Sequence, residues 1–172
     1  GAVVELYRDV RQLREVSGIL DRPLEVDLGD VQGTRPSSYE LPDQLDGVAS
    51  GLVLFLSDRC GTCHALAAQL DGTLPERLWV VLESRGPDAA DDFLRSYDFS
   101  PTSTSGRLIV DAGERIAESI GLDTTPVAFR VVDGRIASAT TVPSGRYLSS
   151  IIPQPVSLER TPPPDQKERI AS

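Results

Sequence analysis

Cys60-Gly61-Thr62-Cys63 holds both cysteines of this 172-residue chain, two residues apart. A thiol at the first position of such a spacing, if it opens a helix, faces unpaired backbone N–H groups and the positive end of the helix dipole. Thiolates in that position are stabilised, which makes the first sulfur a nucleophile toward disulfides. The second sulfur, one turn further on, is placed to attack the mixed disulfide and release the product. With no other cysteine present, oxidation within the chain joins only Cys60 to Cys63, and a disulfide-stapled secreted scaffold is excluded.

Other chemistries use the same residues. Cys60-Gly61-Thr62-Cys63-His64 matches the C-x-x-C-H attachment site of c-type haem. His64 is the only His and there is no Met, so the usual second axial ligand is missing and a five-coordinate haem is the form that reading retains. Zinc wants four nitrogen or sulfur ligands, often from paired motifs; Cys60, Cys63 and His64 supply three, leaving a site shared between two chains. A buried, inert cysteine pair is the plain structural alternative. The flanking pattern favours the dithiol, and no metal or organic cofactor is expected.

The elements that would position the pair are legible. Leu52-Val53-Leu54-Phe55-Leu56 is an unbroken apolar run, as in a strand buried on both faces. The cysteines follow at once, and His64 to Leu70 favours a helix. Leu78–Leu82 reads as a second buried strand. Residues 87–97 read as a helix opened by Pro87 and Asp88, which suit a helix N-terminus. Leu108–Val110 reads as a short strand, and 112–120 as a helix closed by Gly121. Val127–Val132 and Arg135–Thr140 flank Asp133-Gly134, a strong hairpin signal. Residues 144–152 read as a last helix. The order predicts a mixed α/β sheet, with parallel strands joined by helical crossovers and an antiparallel hairpin at the end.

Three regions divide the chain. Residues 1–22 carry an amphipathic helical pattern, with Val3, Leu6, Val10, Leu13 and Leu20 on one side. Residues 23–152 form the domain, beginning with a Gly-, Pro- and Ser-rich stretch expected to hold loops, short strands and a helical turn over 42–48. Residues 153–172 are Pro-rich and charged, as in a mobile tail. Hydrophobic residues at 40% suit a folded soluble domain. A net charge of −9 argues against nucleic acid, whose phosphates need a basic surface.

The strand 52–56, the C-x-x-C opening a helix, and Thr125-Pro126 just before the strand 127–132 resemble the thioredoxin superfamily. The resemblance implies a cis peptide at Pro126 beside the dithiol, with Thr125 offering backbone groups to an extended substrate. Gly61 and Thr62 would complete that groove. Cytosolic thioredoxins carry Trp-Cys-Gly-Pro-Cys and an acidic residue six positions before the first Cys. Here Arg59, Thr62 and Leu54 stand at the Trp, Pro and acidic positions, so the buried proton acceptor is missing. Phe55-Leu56-Ser57 leading into the cysteines looks like the membrane-tethered TlpA/ResA and MauD-type proteins.

That branch implies an extracytoplasmic thiol–disulfide oxidoreductase, a monomer anchored through a segment before residue 3. Its partners would be a protein substrate with a disulfide or dithiol and an upstream protein that resets the pair. Arg59, His64 and Glu83 are candidates for tuning: Arg59 and His64 by positive charge near a thiolate, Glu83 as a proton carrier beneath the site, with Asp58 a further charge just before the nucleophile. A non-catalytic interaction domain with the same fold is the competing class.

Overall fold

The computed structural model describes residues 22–155. The helix expected over residues 3–20, and all of the expected tail beyond residue 155, lie outside the described residues. A six-stranded mixed sheet runs in the order β1-β6-β5-β2-β3-β4, with β1 at Glu25–Val26, β2 at Ser50–Ser57, β3 at Leu78–Ser84, β4 at Leu108–Ala112, β5 at Val127–Val132 and β6 at Arg135–Thr141.

The apolar run takes the centre. Residues 51–57 of β2 are all buried, and the strand is flanked by β3 in parallel and β5 antiparallel, with Leu54 beside Val80 and Ala128. Continuous apolar residues suit only a strand covered on both sides, and two core clusters supply the cover. Leu52, Leu54 and Leu56 join Leu78, Val80 and Leu82 on one face. Val53 and Phe55 join Trp79, Val81, Val127 and Phe129 on the other. The Phe55 and Phe129 rings lie 4.9 Å apart at a tilt of 47°, a favourable aromatic pairing. Trp79 packs close to Gly51, where an added Cβ would meet its Cζ3 at 3.2 Å.

Helices follow the strands as the crossover rule requires. Helix α1 (Gly61–Leu70) buries Cys63, Leu66, Ala67 and Leu70. Helix α2 (Pro87–Ser96) buries Ala90 and Phe93, and both contribute to the cluster around Leu54. A short α3 (Pro101–Thr104) precedes β4, and α4 (Arg115–Ile120) sends Ile116 and Ile120 into the opposite cluster. Helix α5 (Gly145–Ile151) returns Leu148 to the first face.

The hairpin turn is as expected: Asp133 and Gly134 have φ of 48° and 69°, the double left-handed pair that matches strand twist. It is tucked against the loop before β2. Asp133 and Gly134 N–H donate to the Ala49 and Val48 carbonyls, and a Cβ on Gly134 would lie 2.0 Å from the Asp46 carbonyl oxygen.

Two differences from the sequence expectation have clear causes. The helix expected over 112–120 begins at Arg115, because β4 keeps pairing with β3 through Ala112 and the chain then turns at Gly113 and Glu114, with φ of 92° and 59°. Helix α3 was not expected. Ser100 and Ser103 form a reciprocal capping box around Pro101, an arrangement that can start even one turn of helix. The helical turn expected over 42–48 is a 3-10 turn over Asp43–Gly47. The fold is thioredoxin-like: a mixed α/β sheet with central parallel strands, a terminal hairpin and helices on both faces.

Candidate functional site

Strand β2 ends at Ser57, and the chain turns through Asp58 and Arg59 before α1. Cys60 is the N-cap of that helix, with extended backbone angles. Its Sγ accepts the Cys63 N–H at 3.2 Å, taking the place that a serine or aspartate oxygen fills at ordinary helix starts. A negative charge on that sulfur is thus met by an amide hydrogen and by the positive end of α1. The Cys60 thiol also reaches the Thr125 carbonyl oxygen at 3.5 Å.

The two sulfurs have opposite surroundings. Cys60 is half-buried and Cys63 is fully buried. Burial pushes the Cys63 thiol far up from its ordinary value, and its hydrogen bond with Cys60 adds to the rise. Leu54, at the position where an acid would sit, is itself fully buried in the same apolar cluster as Cys63. Among the described residues, no carboxylate offsets the loss of water there.

Gly61 and Thr62 are exposed at the mouth of the site. Thr125 is half-buried and Pro126 buried. The Thr125–Pro126 peptide bond is cis, and the Pro126 carbonyl accepts the Val142 N–H at 2.9 Å. Cys60, Cys63 and Thr125 are therefore brought together, with Gly61, Thr62 and Pro126 as immediate chain neighbours.

The tuning candidates are each engaged with other groups. Glu83 alternates with Leu82 on β3 and so shares the face of Val81, opposite the cluster that holds Cys63. Its neighbours are acidic: β3–β4 register sets it beside Asp111, with Glu114 and Asp58 near. Burial first, then Glu114 and Asp111, raise the Glu83 carboxyl from 4.5 to about 7, Arg59 opposing and Asp58 adding. Its Oε1 is buried without a hydrogen-bond partner. The Arg59 guanidinium is paired with Glu114 and lies 3.6 Å from Asp58, so its charge is directed toward carboxylates.

His64 is locked into the fold. Its Nδ1 lies 2.7 Å from the Tyr97 hydroxyl and its Nε2 lies 2.8 Å from the Asp58 carbonyl oxygen. With both nitrogens hydrogen-bonded inside the domain, the ring is not turned outward as the haem reading would need. Among the described residues, no group of three or more His, Cys, Asp or Glu could hold a metal ion. None of the described helices is long and apolar enough to cross a membrane.

Sequence reasoning read Asp58 only as a charge before the nucleophile, and missed Asp111. Asp58 accepts the Ser84 hydroxyl at 3.0 Å through Oδ2. Asp111 Oδ2 accepts the Ile116 and Ala117 N–H groups at 2.9 and 3.2 Å, capping α4 from the end of β4. The available signal was an aspartate shortly before a helix at a strand end, which is an N-cap pattern.

No family model and no curated protein matches the sequence. Several solved structures are similar. A secreted Mycobacterium tuberculosis disulfide oxidoreductase, homologous to E. coli DsbE, shares 15% identity over 63% of this chain and 96% of its own, with a TM-score of 0.45. StoA from Bacillus subtilis shares 12% over 59% and 80%, with a TM-score of 0.44. A thioredoxin-like protein from Parabacteroides distasonis shares 16% over 73% and 94%, with a TM-score of 0.46. This chain's own strand order and helix placement assign it a thioredoxin-like fold, with a close cysteine pair where its central strand feeds a helix.

Proposed function

We propose that this chain is a thiol–disulfide oxidoreductase acting on protein substrates, with Cys60 attacking and Cys63 resolving. The observation that carries the reading is the asymmetry of the pair. One sulfur is half-exposed and receives an amide hydrogen at a helix start; the other is buried one turn behind it. An exposed sulfur can meet a substrate, and a buried one can only meet its neighbour.

Cys60, as thiolate, attacks one sulfur of a substrate disulfide. A Cys60–substrate bond forms, and the second substrate sulfur leaves as a thiolate. Cys63 then gives up its proton, attacks Cys60 Sγ and releases the first substrate sulfur. With Leu54 beneath it, the natural destination for that proton is a departing substrate thiolate. The substrate has gained two electrons and the domain holds a Cys60–Cys63 disulfide, which a partner dithiol reduces by the reverse steps; with a substrate dithiol as that donor, the same steps oxidise the substrate. Thr125 and Pro126 border the groove with Gly61 and Thr62, and the Thr125 carbonyl beside Cys60 suits an extended peptide. Resemblance to the TlpA/ResA and MauD-type proteins supports an extracytoplasmic, anchored setting for a monomeric domain.

The test uses insulin reduction and glutathione-linked turnover. C60S should abolish both, while C63S should accumulate a mixed disulfide visible by mass. Turnover by C60S would overturn the reading. A non-catalytic binding domain would keep partner affinity in C60S and show no turnover in the unsubstituted protein.

A further inference from the structure

His64 follows the second cysteine directly, yet its side chain reaches back to the turn before the first. The Asp58 carbonyl oxygen can only accept, so the hydrogen of the contact resides on Nε2. In the neutral ring Nδ1 then accepts from the Tyr97 hydroxyl, and in the protonated ring Nδ1 donates to it. Both contacts survive in either form. The ring is held in place by Phe93 and Tyr97, with centroids 5.0 and 5.6 Å away.

The backbone of the same residue adds a second hold, since His64 N–H donates to the Cys60 carbonyl at 3.1 Å. One residue therefore gathers the carbonyls of Asp58 and Cys60 from beyond Cys63. Asp58 has two further anchors, its N–H on the Glu83 carbonyl at 3.3 Å and its carboxylate on Ser84. Both tie it to β3. The described hydrogen bond that ties Asp58 to α1 is the one from His64.

We propose that His64 is a positioning residue for the resolving step, its ring tying the Asp58–Cys60 turn to the first turn of α1 so that Cys63 stays within reach of Cys60. This rests on the exchange reading given above. Closing the disulfide requires Cys60 Sγ to approach Cys63, and a turn held to β3 but loosened from α1 lowers the effective concentration of one sulfur at the other. Tyr97, at the end of α2, fixes the ring that fixes the turn. Attack by Cys60 on an outside disulfide needs no such closure and is expected to change little.

The experiment measures the equilibrium between the domain's dithiol plus glutathione disulfide, and the domain's Cys60–Cys63 disulfide plus two reduced glutathiones. One S–S bond forms as another breaks, and the two thiol protons pass to the glutathione sulfurs. Loss of one hydrogen bond's net contribution corresponds to about three- to tenfold in this constant. H64A should therefore favour the dithiol by about that factor and slow decay of the glutathione mixed disulfide to a similar degree. H64Q, whose amide nitrogen replaces Nε2, should recover most of both, and Y97F should show a change of about twofold.

A constant and a decay rate in folded H64A within experimental error of the unsubstituted protein would overturn the proposal, as would failure of H64Q to recover when H64A is impaired. If H64A does not fold, an unchanged constant in Y97F overturns it instead. Failure here, with C60S still inactive and C63S still trapping the mixed disulfide, leaves the exchange reading standing. Turnover by C60S removes that reading itself.

Discussion

Glu83 should make the fold lose stability as pH rises from 4.5 to about 7, and E83Q should abolish that loss. The carboxyl is buried on the face away from the cysteines, beside Asp111, Glu114 and Asp58, with Arg59 as the opposing charge. Below pH 4.5 native and unfolded chains both hold the proton, so Glu83 contributes no pH dependence. Between 4.5 and about 7 the unfolded chain releases it while the native chain keeps it. Native stability then falls with rising pH, because the native state binds more protons. Above about 7 both are ionised and the full penalty stands. A rise from 4.5 to about 7 corresponds to about 3 kcal/mol. The assay is urea unfolding of wild type and E83Q at pH 5 and pH 8, taken as a double difference so that the other titrating groups cancel. Expected is a gap that moves in favour of E83Q by about 2–3 kcal/mol at the higher pH. A gap constant within about 0.5 kcal/mol, the usual tolerance for independent sites, would refute the reasoning, and so would a shift in favour of wild type.

Two further substitutions test the scaffold. D111A removes the acceptor for two N–H groups at the start of α4 and should cost about 2–3 kcal/mol in urea unfolding at pH 5. The cost should be smaller at pH 8, where losing Asp111 also relieves Glu83. G134A places a methyl 2.0 Å from the Asp46 carbonyl oxygen at a φ of 69°. It should lose about 3 kcal/mol or more, against about 1 kcal/mol for G106A, whose φ of 70° is similar but whose surroundings are open.

The parts of this fold visible in the sequence are those written in consecutive residues. Leu52–Leu56 announced the central strand, Asp133-Gly134 the hairpin, and the helical stretches between strands announced parallel pairing. The cysteine pair could be placed at a helix start because strand and helix signals meet there. Side-chain meetings across the sheet were not visible. Glu83 and Asp111 are 28 positions apart, and their juxtaposition depends on β3–β4 register. Alternation along β3 did fix which face Glu83 takes relative to Leu82, and that was the available clue that it would not underlie the dithiol. His64 was read from its place in the chain as a charge near a thiolate; its tie to Asp58 appears only once α2 brings Tyr97 against the ring. The pairing of β1 with β6 depends on two residues meeting a strand more than a hundred positions away, which no local pattern encodes.

Trp79 is the only tryptophan, and it sits near the start of β3 on the face opposite the cysteines, beside Gly51. An indole so enclosed emits as in an apolar solvent until the sheet opens to water. Its fluorescence will therefore follow denaturation of the domain, and making or breaking the Cys60–Cys63 bond will leave it nearly silent. Optical titrations of this protein can thus separate loss of structure from transfer of electrons without a second dye.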